Sequence, residues 1–190
     1  DWVLAGAGQD VIETGAGNDL IEAGADGVLD GQAGGDVADG GAGDDEIYGA
    51  GKITLAEAIR AGNEATPTNL KGDLLSGAAG DDWIIGDRTN DLLLGGGDQD
   101  LIVGGAGDDT IWGDDDLIAY TRGWQVERVV TVEAGRKIYG ARVLGATIMG
   151  SATGAADVVY GGRGADWVFA GALDDFIDAG ADDDVVFGEA

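Results

Sequence analysis

Residues 104–112 read Gly-Gly-Ala-Gly-Asp-Asp-Thr-Ile-Trp, and the same frame returns as Gly-Gly-Ala-Gly-Asp-Asp-Glu-Ile-Tyr at 40–48 and Gly-Gly-Arg-Gly-Ala-Asp-Trp-Val-Phe at 161–169. The shared pattern is Gly-Gly-x-Gly-x-Asp-x-U-x, with U a large aliphatic residue. Outward from these units, the sixth-position aspartate recurs at nine-residue steps. The series are Asp1, Asp10 and Asp19; Asp36 and Asp45; Asp73, Asp82, Asp91, Asp100 and Asp109; and Asp157, Asp166, Asp175 and Asp184. Looser copies bring the count to about sixteen, and a fixed period of this kind marks a repeat architecture. The first six residues of a unit turn tightly, because Gly accepts positive φ and Asp tolerates it better than most. The last three alternate, so U faces one side and its neighbours the other, as a short half-buried strand requires. U is Ile12, Ile21, Ile47, Leu75, Ile84, Leu93, Ile102, Ile111, Val159, Val168, Ile177 and Val186.

The chain has 190 residues, 38 of them Gly, one Pro, no Cys and no His, and its 37 acidic side chains against 10 basic ones give a net charge of −27. A hydrophobic content of 44% is too high for a disordered acidic tail. Without His or Cys, thiol and His-assisted nucleophiles and the usual nitrogen and sulfur zinc cages are unattainable. The charge argues against nucleic acid and anionic membrane surfaces, since nothing neutralises phosphates in bulk; the expected partner is cationic. No apolar stretch approaches the ~20 residues of a membrane-spanning helix, and no basic-then-apolar leader opens the sequence. Absent cysteines fit a reducing compartment, or an exported protein stabilised by something other than disulfides.

Two segments break the period, and eight of the 10 basic residues lie in them, only Arg88 and Arg163 falling within repeats. The expected organisation is repeats over 1–51, a helical insertion over 52–71, repeats over 72–118, a hairpin insertion over 119–151 and repeats over 152–190. In the first insertion Thr54 and Glu57 form a capping-box pattern, Leu55, Ala58 and Ile59 share a helical face, and Gly62 can close the helix. In the second, Trp124–Val132 and Lys137–Leu144 are β-prone runs flanking a turn at Glu133–Arg136. The outward positions Trp83, Ile85, Leu92, Leu94, Leu101, Val103, Trp112, Trp167, Phe169 and Phe187 are unusually apolar, which predicts that the helix, the hairpin or a neighbouring molecule covers them.

The frame resembles the RTX, or haemolysin-type, calcium-binding nonapeptide. That resemblance implies an all-β fold, a right-handed parallel β-roll in which two nonapeptides make one coil and repeats n and n+2 stack. It also implies Ca²⁺ between stacked corner loops. The sixth-position aspartates, from Asp1 to Asp184 as enumerated above, bridge ions, and loop carbonyls complete the shell. In the clearest units those carbonyls belong to Gly40 with Ala42 or Gly41 with Gly43, to Gly104 with Ala106 or Gly105 with Gly107, and to Gly161 with Arg163 or Gly162 with Gly164. On this pattern Asp73, Asp91 and Asp109 line one edge and Asp82 and Asp100 the other, while Asp157 pairs with Asp175 and Asp166 with Asp184. An isolated charge run is usually a solvated face, but strict nine-residue spacing is the pattern of ligands. Roughly ten ions would offset about 20 of the 27 negative charges.

Departures mark weaker sites. Residues 23–30 are one short and lose the sixth-position Asp. Thr89, Asp98, Ala155, Leu173 and Asp182 replace the fourth-position Gly, so each either adopts a costly backbone conformation or relaxes its loop. Asp114, Asp115 and Asp116 cluster where a repeat is cut short. The expected role is a non-enzymatic, calcium-dependent module of a secreted or cell-surface bacterial protein, folding on calcium after type I secretion. The alternatives are a self-assembling surface-layer, adhesin or filament segment, or a C-terminal module of a secreted enzyme or toxin. Self-association, or packing against another domain of the same protein, is compatible with each.

Overall fold

The alternation of x-U-x triplets carries directly into three dimensions: each triplet is a short strand whose central side chain points inward. The computed structural model describes residues 1–24, 35–65, 70–150 and 154–188. Its elements in chain order are β1 (Trp2–Leu4), β2 (Val11–Ala16), β3 (Leu20–Glu22), β4 (Val37–Ala42), β5 (Glu46–Tyr48) and helix α1 (Leu55–Glu64). Then come β6 (Lys71–Ala79), β7 (Trp83–Ile85), β8 (Asn90–Gly97), β9 (Leu101–Ala106) and β10 (Thr110–Trp112), followed by the long strands β11 (Asp115–Glu133) and β12 (Arg136–Gly150). The last four are β13 (Val158–Arg163), β14 (Trp167–Phe169), β15 (Phe176–Ala181) and β16 (Val185–Phe187).

Successive short strands alternate between two parallel sheets of seven strands. The first has the order β1-β3-β5-β7-β9-β13-β15 and the second β2-β4-β6-β8-β10-β14-β16. U side chains of both sheets meet between them: Ile21, Ile47, Ile84, Ile102 and Val159 from the first sheet, and Ile12, Leu75, Leu93, Ile111 and Val168 from the second. Ala38 takes the U place on β4 in the second row, and Ile177 of β15 is partly buried at the end of the first. Each fully buried aliphatic side chain contributes about 1.5–3 kcal/mol. This is the parallel β-roll that the nonapeptide frame implied.

Between β3 and β4 falls the short unit read at 23–30. Asp10 stacks on Asp36 and Asp19 on Asp45, so β4 follows β2 within its sheet and β5 follows β3. Residues 25–34 lie outside the described residues.

Both insertions fold back as covers. Thr54 Oγ1 accepts the Glu57 N–H at 3.3 Å while Glu57 Oε2 accepts the Thr54 N–H at 3.0 Å, the reciprocal cap that starts α1. Ala58 then packs on Tyr48, Ile85 and Val103 of the first sheet. Gly62 allows the close approach: a Cβ there would lie 2.7 Å from the Gly105 carbonyl oxygen. The hairpin β11–β12 turns on Ala134 and Gly135, at φ 49° and 81°, the two left-handed residues of a two-residue connection. Leu117 and Trp124 of β11 seal Val37, Leu74, Leu92 and Leu94 of the second sheet. Further along, Arg128 donates to the Asp109 and Ala165 carbonyls, and Tyr139 meets the Trp167 ring edge-on at 5.7 Å. The outward rings of Trp112, Phe169 and Phe187 stack at 5.2 and 5.1 Å. Trp83 remains 41% exposed.

Candidate metal centre

The corner before each strand is held by its sixth-position aspartate. Along one edge the backbone N–H of each aspartate donates to Oδ1 of the aspartate one coil further on. Asp10 donates to Asp36 at 2.7 Å, Asp36 to Asp73 at 2.7 Å, Asp73 to Asp91 at 2.8 Å, Asp91 to Asp109 at 2.8 Å, Asp109 to Asp166 at 2.9 Å and Asp166 to Asp184 at 3.0 Å. Along the other edge Asp19 donates to Asp45 at 2.8 Å, Asp45 to Asp82 at 2.7 Å, Asp82 to Asp100 at 2.9 Å, Asp100 to Asp157 at 3.0 Å and Asp157 to Asp175 at 3.1 Å. The Asp1 amino group contacts Asp19 Oδ1. Every sixth-position aspartate singled out in the sequence therefore belongs to one of two continuous ladders, which run across both insertions.

The ladders use one carboxylate oxygen and leave the other. Oδ2 of Asp10, Asp19, Asp45, Asp82, Asp100, Asp109, Asp157 and Asp166 is buried with no hydrogen-bond partner among the described residues. In several loops this oxygen packs against the first-position glycine: a Cβ would fall 2.2 Å from Asp45 Oδ2 at Gly40, 2.1 Å from Asp82 Oδ2 at Gly77 and 2.7 Å from Asp109 Oδ2 at Gly104. The first-position Gly and the sixth-position Asp are thus one steric unit. Burial pushes Asp82 and Asp157 up to about 7 and Asp100 up to about 9, and the charge of the stacked neighbour adds to each. Asp109 is raised by burial and then by Asp91 and Asp166. Buried anions in this state call for a cation or a proton.

In the loops, carbonyl oxygens of one coil pack closely against glycines of the next. Positions two and four take positive φ, 108° and 153° at Gly105 and Gly107. The Gly107 carbonyl oxygen sits 1.7 Å from where a Cβ on Gly164 would be, and that of Gly105 sits 1.9 Å from a Cβ on Gly162. A Cβ on Gly41, Gly43 or Gly161 would lie 2.1, 2.6 or 2.3 Å from the carbonyl oxygen of Gly15, Gly17 or Ala179 in the adjacent coil. The third-position carbonyls of Ala42 and Arg163 each accept one N–H from the adjacent coil, of Gly17 and Gly107 respectively, while Ala106 is fully buried. Among the described residues no three carboxylates gather around one point. The donor set is therefore single carboxylates with backbone carbonyls, oxygen only, which suits a hard divalent cation and excludes a soft one.

Against this geometry, the family described as RTX calcium-binding nonapeptide repeat (4 copies) matches residues 1–27, 26–51, 69–102, 94–117 and 160–190, well over half of the chain. The chain belongs to that family. No curated protein and no solved structure gives a match. The unpartnered Oδ2 atoms fit the calcium that RTX repeats bind.

Within the RTX frame, the departures separate into two kinds. Asp98, Leu173 and Asp182 adopt positive φ of 72°, 80° and 92° in place of glycine. Ala78, at a second position, does the same at 78° and was not anticipated, because attention to the fourth position alone misses it. Thr89 and Ala155 relax their loops instead. Asp87 Oδ1 accepts the Thr89 N–H at 2.7 Å, and Asp91 accepts the Asp87 N–H at 3.0 Å and the Thr89 hydroxyl at 2.9 Å. Ala155 donates to Asp114 Oδ1 at 3.1 Å, and Asp114 also receives the Ala172 N–H. Sequence reading missed the roles of Asp87 and Asp114. The available signal was an acid in the second position, where Gly is the rule.

Proposed function

We propose that this RTX roll is a calcium-driven folding module of a secreted or cell-surface bacterial protein, and that its role is structural rather than catalytic. The observation that carries this is the pair of aspartate ladders with their buried, unpartnered Oδ2 atoms. Asp45, Asp82, Asp100, Asp109, Asp157 and Asp166, with the second- and fourth-position carbonyls of the loops stacked on them, are the residues that would hold the ions. Bound calcium would supply the positive charge that these oxygens lack. The chain's own part is to hold each carboxylate in register through its Oδ1 bond and to bring loop carbonyls alongside by glycine at positions one, two and four.

The same features give a reason for export before folding. At low calcium a net charge of −27 and two stacks of buried carboxylates oppose collapse. At the higher calcium outside a cell, binding free energy becomes folding free energy. A chain with these properties can pass a type I secretion channel unfolded and fold on arrival.

Far-ultraviolet circular dichroism in excess chelator, followed by addition of Ca²⁺, tests the proposal. The expected result is a largely unfolded spectrum that converts to β structure on addition. Strand signal of equal size in chelator and in calcium would refute calcium-driven folding.

A further inference from the structure

A second group of oxygens lies outside the corners, on the outward face of the second sheet. Glu13, Asp39 and Ser76 are in-register neighbours on β2, β4 and β6, so their side chains stand side by side at the inter-strand spacing. The hairpin crosses over them. The Tyr120 hydroxyl donates to Glu13 Oε1 at 2.7 Å. Burial, then the charges of Glu13, Asp116 and Asp45, pushes Asp39 up to about 6.

Hydrogen bonding leaves this group incomplete. Ser76 is 0% exposed, yet its Oγ has no hydrogen-bond partner among the described residues. Oδ1 of Asp39 and Oδ1 of Asp116 are also buried and, among the described residues, unpartnered. Ser76 adjoins Asp39 in the sheet, so its orphaned hydroxyl is an observation independent of the acidic charges and lies beside them. An apolar residue at position 76 would continue the run of Leu94, its neighbour on β8; a hydroxyl without a partner is costly there unless something accepts it. None of these residues occupies a sixth position of the repeat, and the nonapeptide pattern accounts for none of them.

We propose that Asp39, Ser76 and Asp116 form a cation site separate from the corner loops, taking a hard divalent ion and tying the hairpin to the second sheet. Glu13 is held by Tyr120, which leaves two carboxylates and a hydroxyl as the protein donors and water for the rest of the shell, an arrangement calcium accepts. This agrees with the absence of three converging carboxylates among the described residues. The choice of calcium as the ion rests on the calcium-binding reading above; the existence of the site does not.

The test counts bound Ca²⁺ per chain by equilibrium dialysis and elemental analysis at neutral pH, for the parent, Asp39→Asn, Ser76→Ala and the control Glu127→Gln. Glu127 sits on the exposed face of the hairpin, paired with Arg142, so its variant removes one charge without touching the cluster. Asp39→Asn is expected to bind one ion fewer than the parent and the control. Ser76→Ala, close in volume and able to fold if Asp39→Asn is not, is expected to need several-fold more Ca²⁺ to fill one site. If both variants match the parent in count and affinity, as when Asp39 and Asp116 share a proton instead, the site is overturned. A parent that binds no calcium at all overturns this site together with the repeat reading, and is told apart from the first failure by that zero.

Discussion

At the scale of single residues, the fourth loop position decides how well a corner closes. Gly164 has φ 147°, and a Cβ there would fall 1.7 Å from the Gly107 carbonyl oxygen. Gly164→Ala therefore meets both an unfavourable conformation and a backbone contact that cannot move without shifting a coil. A loss of about 2–3 kcal/mol or more is expected in urea unfolding with calcium present. Leu173 occupies the same position of its own loop at φ 80° and is 60% exposed, so its side chain returns little for the strain it imposes. Leu173→Gly should stabilise the calcium-loaded roll by about 1 kcal/mol, a rise of roughly 2–4 °C in Tm for a chain of this size. An unchanged or lower Tm would mean that the leucine is held by contacts outweighing its backbone cost. The sequence already set out the choice at this position between strain and a relaxed loop. Which alternative each departure takes was not legible, because it depends on a side chain elsewhere: Asp87 releases Thr89 and Asp114 releases Ala155, whereas Leu173 adopts the strained conformation.

At the scale of elements, the repeats need their covers. The second sheet presents Leu74, Leu92 and Leu94 outward, all fully buried, and the hairpin is what buries them. Trp124, 2% exposed, is the largest side chain in that contact, and the Lys71 ammonium lies 4.1 Å from its ring centroid. Trp124→Ala is expected to cost about 3–5 kcal/mol, read as a lower urea midpoint, with the calcium held by the corner loops unchanged because no ladder residue moves. The turn at Glu133–Arg136 and the capping box at Thr54 were legible because both are local signals, a reversal between β-prone runs and a reciprocal hydrogen-bonding pair. The hairpin's full extent was not. Its strands reach back to Asp115 and on to Gly150, past the β-prone cores, because Asp114–Asp116 read as a broken repeat rather than as the start of a strand. For the same reason the unpartnered oxygens at Asp39, Ser76 and Asp116 escaped notice: the site proposed for them exists only when the hairpin lies across the sheet.

At the scale of the whole molecule, the two ladders make protons and calcium competitors for the same oxygens. With calcium removed, burial holds Asp82 and Asp157 near 7 and Asp100 near 9, all above the ordinary carboxylate value. The folded chain then binds more protons than the unfolded chain between the ordinary value and those raised ones. Its stability is accordingly greatest at or below about pH 4 and falls as pH climbs through that window to about 7–9. The overall charge of −27 acts in the same direction, since acid reduces the repulsion. Calcium reverses the slope, because it binds deprotonated carboxylates and must release their protons. Unfolding followed across about pH 4.5–8.5 should therefore give two curves that meet at acid pH and diverge above it, the chelated protein losing its folded structure as pH rises towards neutral and the protein in millimolar Ca²⁺ gaining stability with pH. The rising arm should be accompanied by proton release on titration with calcium in weak buffer. If chelated protein instead gains stability between about pH 5 and 8, the ladder carboxylates are not buried as anions, and the Oδ2 atoms have found another partner.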